Sequence, residues 1–261
     1  KKQIYIMYTG PHIVTDQLVL AIDATAERSY PGTGTTWFDL SEDGYNSNMG
    51  VGENEVTWNN NGYMSFAGNG ARTSSPVGEH ITLNNTATTT LASTKPNGVT
   101  YSVWMRFTGN QANGHGIFVG GTTINHLEYR SSNINNGGYW RTEATTQNGY
   151  SFGGGGNNAD GGHTLDEWFN LTLVFANNET NHPVRWYRDS ELFYTGYMSN
   201  GTGGDSEYFI PNTFGRSTGT DSYQYVQSFK GDLGNLYIYN KALTAAEVAQ
   251  NFNAQKSRFG L

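Results

Sequence analysis

Apolar and polar residues alternate with a period of two through much of the chain, the pattern of strands that bury one face. Leu18, Leu20 and Ile22 alternate with Val19, Ala21 and Asp23. Val99, Tyr101, Val103, Met105 and Phe107 alternate with Thr100, Ser102, Trp104 and Arg106. Phe169, Leu171, Leu173 and Phe175 do the same, followed by Val184, Trp186 and Arg188, and the run from Leu233 to Tyr239 behaves likewise. Clusters of Asn, Gly, Ser and Thr at 110–116, 153–162 and 199–205 separate these runs. Many short strands with such punctuation predict a sandwich or barrel. Helical spacing enters near the end. Thr244-Ala245-Ala246-Glu247 is a capping box, with Leu243 and Val248 at the two staple positions. Ala249, Phe252 and Gln255 continue one helix, which Gly260 can close.

Composition fits one domain. At 261 residues an all-β chain can form a single sandwich, and a core of that size needs no staples, in keeping with the absence of Cys. With no linker composition or internal repeat, residues 13–261 are expected to form the domain and residues 1–12 an N-terminal arm or edge strand. Charged residues make up 14% and aromatics 14%, so the chain has the means to fold. The net charge is −7 without any Lys/Arg run, which argues against nucleic acid as partner. No stretch reaches the roughly 18 apolar residues of a membrane span, so no membrane partner is expected. The start, Lys1 to Tyr8, is too short for a signal peptide and lacks a small-residue cleavage site.

Three segments together carry a family resemblance. Residues 18–24 and the run Ser29-Tyr30-Pro31-Gly32-Thr33-Gly34-Thr35-Thr36-Trp37-Phe38-Asp39-Leu40-Ser41 resemble the opening of laminin-G-like, concanavalin A-like domains. Asp166-Glu167-Trp168 with the apolar run to Phe175 is similar to the family's Trp-containing strand. The hairpin at Arg188-Asp189-Ser190-Glu191 departs from it, with Asp-Ser where an Asn-Gly turn is usual. The run from Gly231 through Asn240-Lys241-Ala242-Leu243-Thr244 to Phe252 resembles the closing strand and helix. The resemblance implies an all-β jelly-roll sandwich of two antiparallel sheets with one short C-terminal helix. In particular, the opening segment is similar to that of domains in tailed-bacteriophage virion proteins.

Sandwiches of this type carry lectins, hydrolases and assembly modules, so activity has to be argued from residues. The glucanases of the fold carry a strand reading Glu-x-Asp-x-x-Glu or one residue shorter, which is absent. The nearest approaches, Glu53-Asn54-Glu55 and Asp189-Ser190-Glu191, lie in turn-like surroundings without a third acid. The six His (12, 80, 115, 126, 163 and 182) include no pair at metal-binding spacing. No nucleophile elbow is present, and the glycines at 153–156 lack the Lys-Ser/Thr of a phosphate loop. Catalysis is not expected.

Binding offers more. Sugars stack on exposed aromatic rings beside groups that read their hydroxyls. Tyr139 and Trp140 near Asn135 and Asn136, with Tyr223 and Tyr225 near Asp221, are the surface candidates, while Trp37, Trp104, Trp168 and Trp186 are assigned to the core. No cofactor is required. Ca²⁺ is the one cofactor the loops suggest, at Asp43 and Asn46 in the 42–48 loop, with 157–160 as a second loop. The leading expectation is a non-enzymatic virion structural, decoration or attachment protein on the surface of a phage particle. Its partners would be capsid or tail proteins and copies of itself, and the Ile4 to Tyr8 segment could add a strand to a neighbour's sheet. The alternatives are a lectin-like module for cell-surface polysaccharide and a glycoside hydrolase.

Overall fold

The computed structural model describes residues 12–50, 55–68, 79–84, 98–111, 114–120, 125–130, 134, 138–144, 162–176, 179–180, 183–197, 212–217 and 227–261. Two antiparallel sheets organise them, as the alternation predicts. The first sheet contains β1 (Leu18–Asp23), β4 (Thr57–Asn59), β5 (Tyr63–Phe66), β7 (Val99–Phe107), β11 (Phe169–Phe175), β12 (Pro183–Arg188), β13 (Glu191–Tyr197) and β17 (Gly231–Tyr239). Its order is β13-β12-β11-β7-β17-β5-β4, with β1 also paired to β17. The second sheet contains β2 (Thr36–Trp37), β3 (Ser47–Met49), β6 (Ile81–Thr82), β8 (His115–Gly120), β9 (Asn125–Arg130), β10 (Tyr139–Ala144) and β14 (Thr213–Phe214). It runs β10-β9-β8-β14-β6-β3-β2, and β15 (Arg216–Ser217) pairs with β16 (Gln227–Ser228) beside it.

The inward positions of both sheets form one apolar core. Tyr101, Val103, Met105, Phe107, Leu171, Leu173 and Trp186 of the first sheet join Ile81, Phe118, Leu127, Tyr129 and Phe214 of the second. Aromatic pairs bridge the layers, including Tyr101 with Phe118 at 6.1 Å and Phe107 with Tyr129 at 5.3 Å between ring centroids. Such pairs add specific geometry to roughly 1.5–3 kcal/mol gained for each large apolar side chain buried.

The first sheet is buried on its other face as well, so β7 and β17 show no solvent side over most of their length. The C-terminal helix covers that face. Helix α1 (Ala245–Gln255) starts at Thr244, whose hydroxyl accepts from the Glu247 N–H while the Glu247 carboxylate accepts from the Thr244 N–H. Leu243 and Val248 pack with Val14, Ala21, Val174, Tyr187, Tyr237 and Tyr239 in a second apolar cluster. Asn251 ties three parts together, accepting from the Val14 N–H at 2.8 Å and donating to the Tyr239 hydroxyl at 3.0 Å. The helix tightens into a 3-10 turn, Lys256–Phe259, and Gly260 closes that turn in the left-handed conformation. The closing role predicted for Gly260 therefore falls one turn beyond the α-helix.

The Asp189-Ser190 turn keeps two residues despite lacking glycine. Both adopt positive φ, 51° and 71°, and Arg188 pairs directly with Glu191 across it. That is the mirror-image turn whose twist suits a hairpin.

Candidate functional site

At one end of the helix-covered face, residues from four separated stretches of sequence form a ladder of rings. Trp104 projects from β7 opposite Val103 and Met105, and Phe252 of α1 stacks on it with centroids 5.5 Å apart. Phe259 stacks more closely, at 4.3 Å and 11° from parallel. A β-bulge in β17 makes room for it, since the register with β7 shifts between Leu233 and Asn235. A Cβ on the intervening Gly234 would sit 2.4 Å from the Phe259 ring. Trp168, just before β11, tilts against the Phe259 ring at 4.9 Å. Tyr63, at the start of β5, meets Trp168 edge-on at 5.7 Å.

Arg106 locks the ladder. Its guanidinium carbon lies 4.9 Å from the Tyr63 ring centre and 5.0 Å from that of Trp168. Its Nε donates to Asp232 Oδ2 at 2.7 Å, and Ser65 Oγ donates to the other oxygen of that buried carboxylate. A cation set against two neighbouring rings and paired to a carboxylate fixes ring orientations with little rotamer freedom.

Beside Trp168 and Phe259 the surface opens into a cleft of about 380 Å³, within the range of small-ligand sites. Asp166, Glu167, Arg188 and Asp189 supply its charged groups. Arg188 Nη1 donates to the Gly162 carbonyl at 2.6 Å, and its Nε stands 3.8 Å from Asp189 Oδ2. Asp189 accepts from the Asn170 N–H at 2.8 Å. Burial pushes the Asp189 carboxyl above the usual range, against the lowering effect of that hydrogen bond and of Arg188. A half-buried ring platform beside convergent polar groups suits a polar ligand with one apolar face.

Of the residues expected to form such a site, Trp140 lies elsewhere. Trp140 is 1% exposed and belongs to the inter-sheet core, 4.9 Å from Tyr129 and 6.4 Å from Trp186. It cannot serve as a surface platform, because its strand turns this position inward. Tyr139 pairs with Arg130 in the backbone register, and its side chain lies outside the described residues. Tyr223 and Tyr225 also lie outside them, as do the 157–160 loop, the 4–8 segment and Glu53 of the Glu53-Asn54-Glu55 run. Trp37, Trp104 and Trp186 are buried as expected, Trp104 beneath the helix rather than between the sheets. Trp168 corrects the core assignment, since it is only half-buried and lines the cleft. Its position directly before an apolar run resembles a strand entry, and no local signal marks the side left uncovered.

The 42–48 loop folds around Asp39. One Asp39 oxygen accepts from the Ala21 and Ser41 N–H groups, and the other from Ser41 Oγ and the Tyr45 N–H. Asn46 Oδ1 accepts from the Asp39 N–H at 3.0 Å, while Asp43 is exposed at the edge of a second, acidic cleft with Asp16 and Glu42. These bonds account for the loop's shape without an ion. Among the described residues no group of three or more His, Asp or Glu is arranged to hold a metal. Also among them, no helix is long and apolar enough to cross a membrane.

Residues 78–249 match the Laminin_G_3 family, described as the concanavalin A-like lectin/glucanases superfamily. The chain belongs to this family. No curated protein matches it in sequence. Among solved structures, the binding domain of botulinum neurotoxin DC in complex with rat synaptotagmin II is similar at 15% identity and a TM-score of 0.58, over 91% of this chain and 51% of that one. The receptor-binding domain of the botulinum neurotoxin C/D mosaic serotype is similar at 15% identity and a TM-score of 0.56, over 93% of this chain and 52% of that one. Trypanosoma rangeli sialidase in complex with the inhibitor DANA follows at 14% and 0.51, over 94% of this chain and 34% of that one. These likenesses are of fold. The concanavalin A-like chain spans about half the length of the neurotoxin domains and about a third of the sialidase.

Proposed function

We propose that the chain is a non-enzymatic recognition module, an attachment or decoration domain of a tailed-phage particle that holds a surface glycan in the Trp168–Phe259 cleft. The observation carrying this reading is the cleft itself, where two half-buried rings stand beside Asp166, Glu167, Arg188 and Asp189. Apolar sugar faces stack on such rings, and carboxylate and guanidinium groups pair with hydroxyls. The lectin-like sandwich and the receptor-binding neurotoxin domains of the same fold are in keeping with a binding role. The phage setting is supported by the residues at 29–41 and 240–244, which resemble virion domains. In that setting the partners are capsid or tail proteins and further copies of the chain, at the particle surface. The net charge of −7 suits neither nucleic acid nor an anionic membrane.

An array of bacterial surface polysaccharides tests the reading. Reproducible binding that Trp168→Ala abolishes supports it, with Trp37→Phe as a control in the core, outside the cleft lining. An array without signal overturns glycan recognition, and release of reducing ends from any bound polysaccharide overturns the non-enzymatic part. Mass spectrometry of purified particles that lack the chain overturns the virion part.

A further inference from the structure

We infer that the Trp168–Phe259 cleft selects uncharged sugars and rejects carboxylated ones such as sialic or uronic acids. This rests on the glycan-binding reading and goes further by naming the ligand class.

Recognition of an acidic sugar needs a cation free to meet its carboxylate, most often an arginine offering two parallel N–H donors. Three arginines stand near the rings and all are committed within the protein, Arg258 (5.6 Å from the Phe259 ring) to Asp23 and the two others to neighbours of the cleft. Arg106 spends its Nε on Asp232, lies 4.9 and 5.0 Å from the Tyr63 and Trp168 ring centres, and donates from Nη1 to the Asp166 carbonyl at 3.5 Å. Arg188 spends Nη1 on the Gly162 carbonyl, faces Asp189 through Nε, and lies 5.7 Å from the Phe169 ring. Drawing any one of them onto a ligand would break these bonds.

The other charged side chains lining the cleft have the opposite sign. Asp166 and Glu167 are exposed on the cleft wall, and Asp189 lines its floor. A carboxylate seated on Trp168 would lie within a Debye length of all three. Like charges brought together at a binding surface exclude wrong partners. An uncharged hexose or N-acetylhexosamine meets no such repulsion, and its hydroxyls can donate to the same carboxylates.

Matched oligosaccharide pairs, identical except for a terminal sialic or uronic acid against its neutral counterpart, separate the outcomes. The acidic member should bind about tenfold more weakly at low ionic strength, with the gap closing as salt is raised. Replacing the wall charges by Asp166→Asn and Glu167→Gln should narrow the ratio between the two members. Those exposed positions put little of the fold at risk, so the ratio stays readable even where Trp168→Ala unfolds the chain. Equal or tighter binding of the acidic member overturns the selectivity and leaves glycan recognition standing. Binding of neither member overturns both.

Discussion

Phe259 lies flat on Trp104, with ring centroids 4.3 Å apart and planes 11° from parallel. The contact joins the last turn of the chain to the middle of β7, and the same Phe259 ring forms one wall of the cleft. Packing of the C-terminal segment and the shape of the site are therefore one feature.

Gly234 is the position that allows it. A methyl group there would meet Phe259 at 2.4 Å and the Trp168 ring at 3.5 Å. Gly234→Ala should lift Phe259 from Trp104 and destabilise the fold by about 1–3 kcal/mol, the usual cost of overpacking. It should also weaken glycan binding more than that loss of folded protein explains. Urea titration and binding measured on one preparation check both effects, and an unchanged affinity would detach Phe259 from the site.

The helix start offers a cleaner energetic test. Thr244 and Glu247 exchange hydrogen bonds, and Lys241 reaches Glu247 at 2.7 Å and Asp16 at 2.9 Å. Although its own burial acts to raise it, the Glu247 carboxyl is held below the usual range by the bonds from Lys241 and Thr244. Thr244→Ala should cost about 1 kcal/mol, and the double change with Glu247→Ala less than the two single costs together. Denaturant midpoints for the three variants decide it, with strict additivity as the failing result.

The strands and this helix were legible in the sequence because their signals are local. Alternation marks Val99 to Phe107 whatever surrounds it, and Thr244 and Glu247 stand one helical turn apart. Alternation separates two faces but does not say which is covered. Trp104, assigned to the core, shares its face with the polar Thr100, Ser102 and Arg106, and it is 1% exposed because the helix returns over it rather than because the second sheet covers it. Trp140 beside Asn135 and Asn136 has surface-like company in sequence, yet it is just as deeply buried. The cleft escaped for a related reason. Tyr63, Arg106, Trp168 and Phe259 meet through sheet order and helix return, neither of which leaves a periodic trace.

Asp23 and Arg258 tie the end of the chain to β1. Arg258 donates from both terminal nitrogens, to Asp23 Oδ1 at 2.7 Å and Oδ2 at 2.9 Å, and also to the Thr25 hydroxyl. The Asp23 side chain is 6% exposed and that of Arg258 33%, so removing the arginine strands a carboxylate more than it frees a cation. Arg258→Ala should cost about 2–3 kcal/mol, with the Tyr237 hydroxyl and Thr25 still donating to Asp23. Arg258→Lys should recover only part of this, since one ammonium cannot reproduce the fork. A thermal-melt series of the two variants checks the order, and equal losses would show that packing rather than the ion pair holds the segment.

His115 makes the fold sensitive to acid. Its ring is buried 4.6 Å from Phe107, and Nδ1 accepts from the Lys230 N–H at 3.3 Å. Burial, with the Lys230 charge and His163 adding to it, lowers its pKa from 6.5 to about 3. The folded protein therefore keeps the ring neutral across a range where the unfolded chain protonates it. Because the unfolded state binds the extra proton, this contribution is complete above about pH 6.5 and is lost as the pH falls towards 3, up to about 5 kcal/mol in total. His115→Asn retains a side-chain acceptor near Nδ1 but has no proton to take up. The variant should start less stable at neutral pH, through lost packing, and then lose stability less steeply between about pH 6.5 and 4. Carboxylates that titrate in the same range affect both proteins alike, so the difference between their slopes belongs to His115. Parallel urea-midpoint profiles for the two would mean that the buried ring does not set the acid limit.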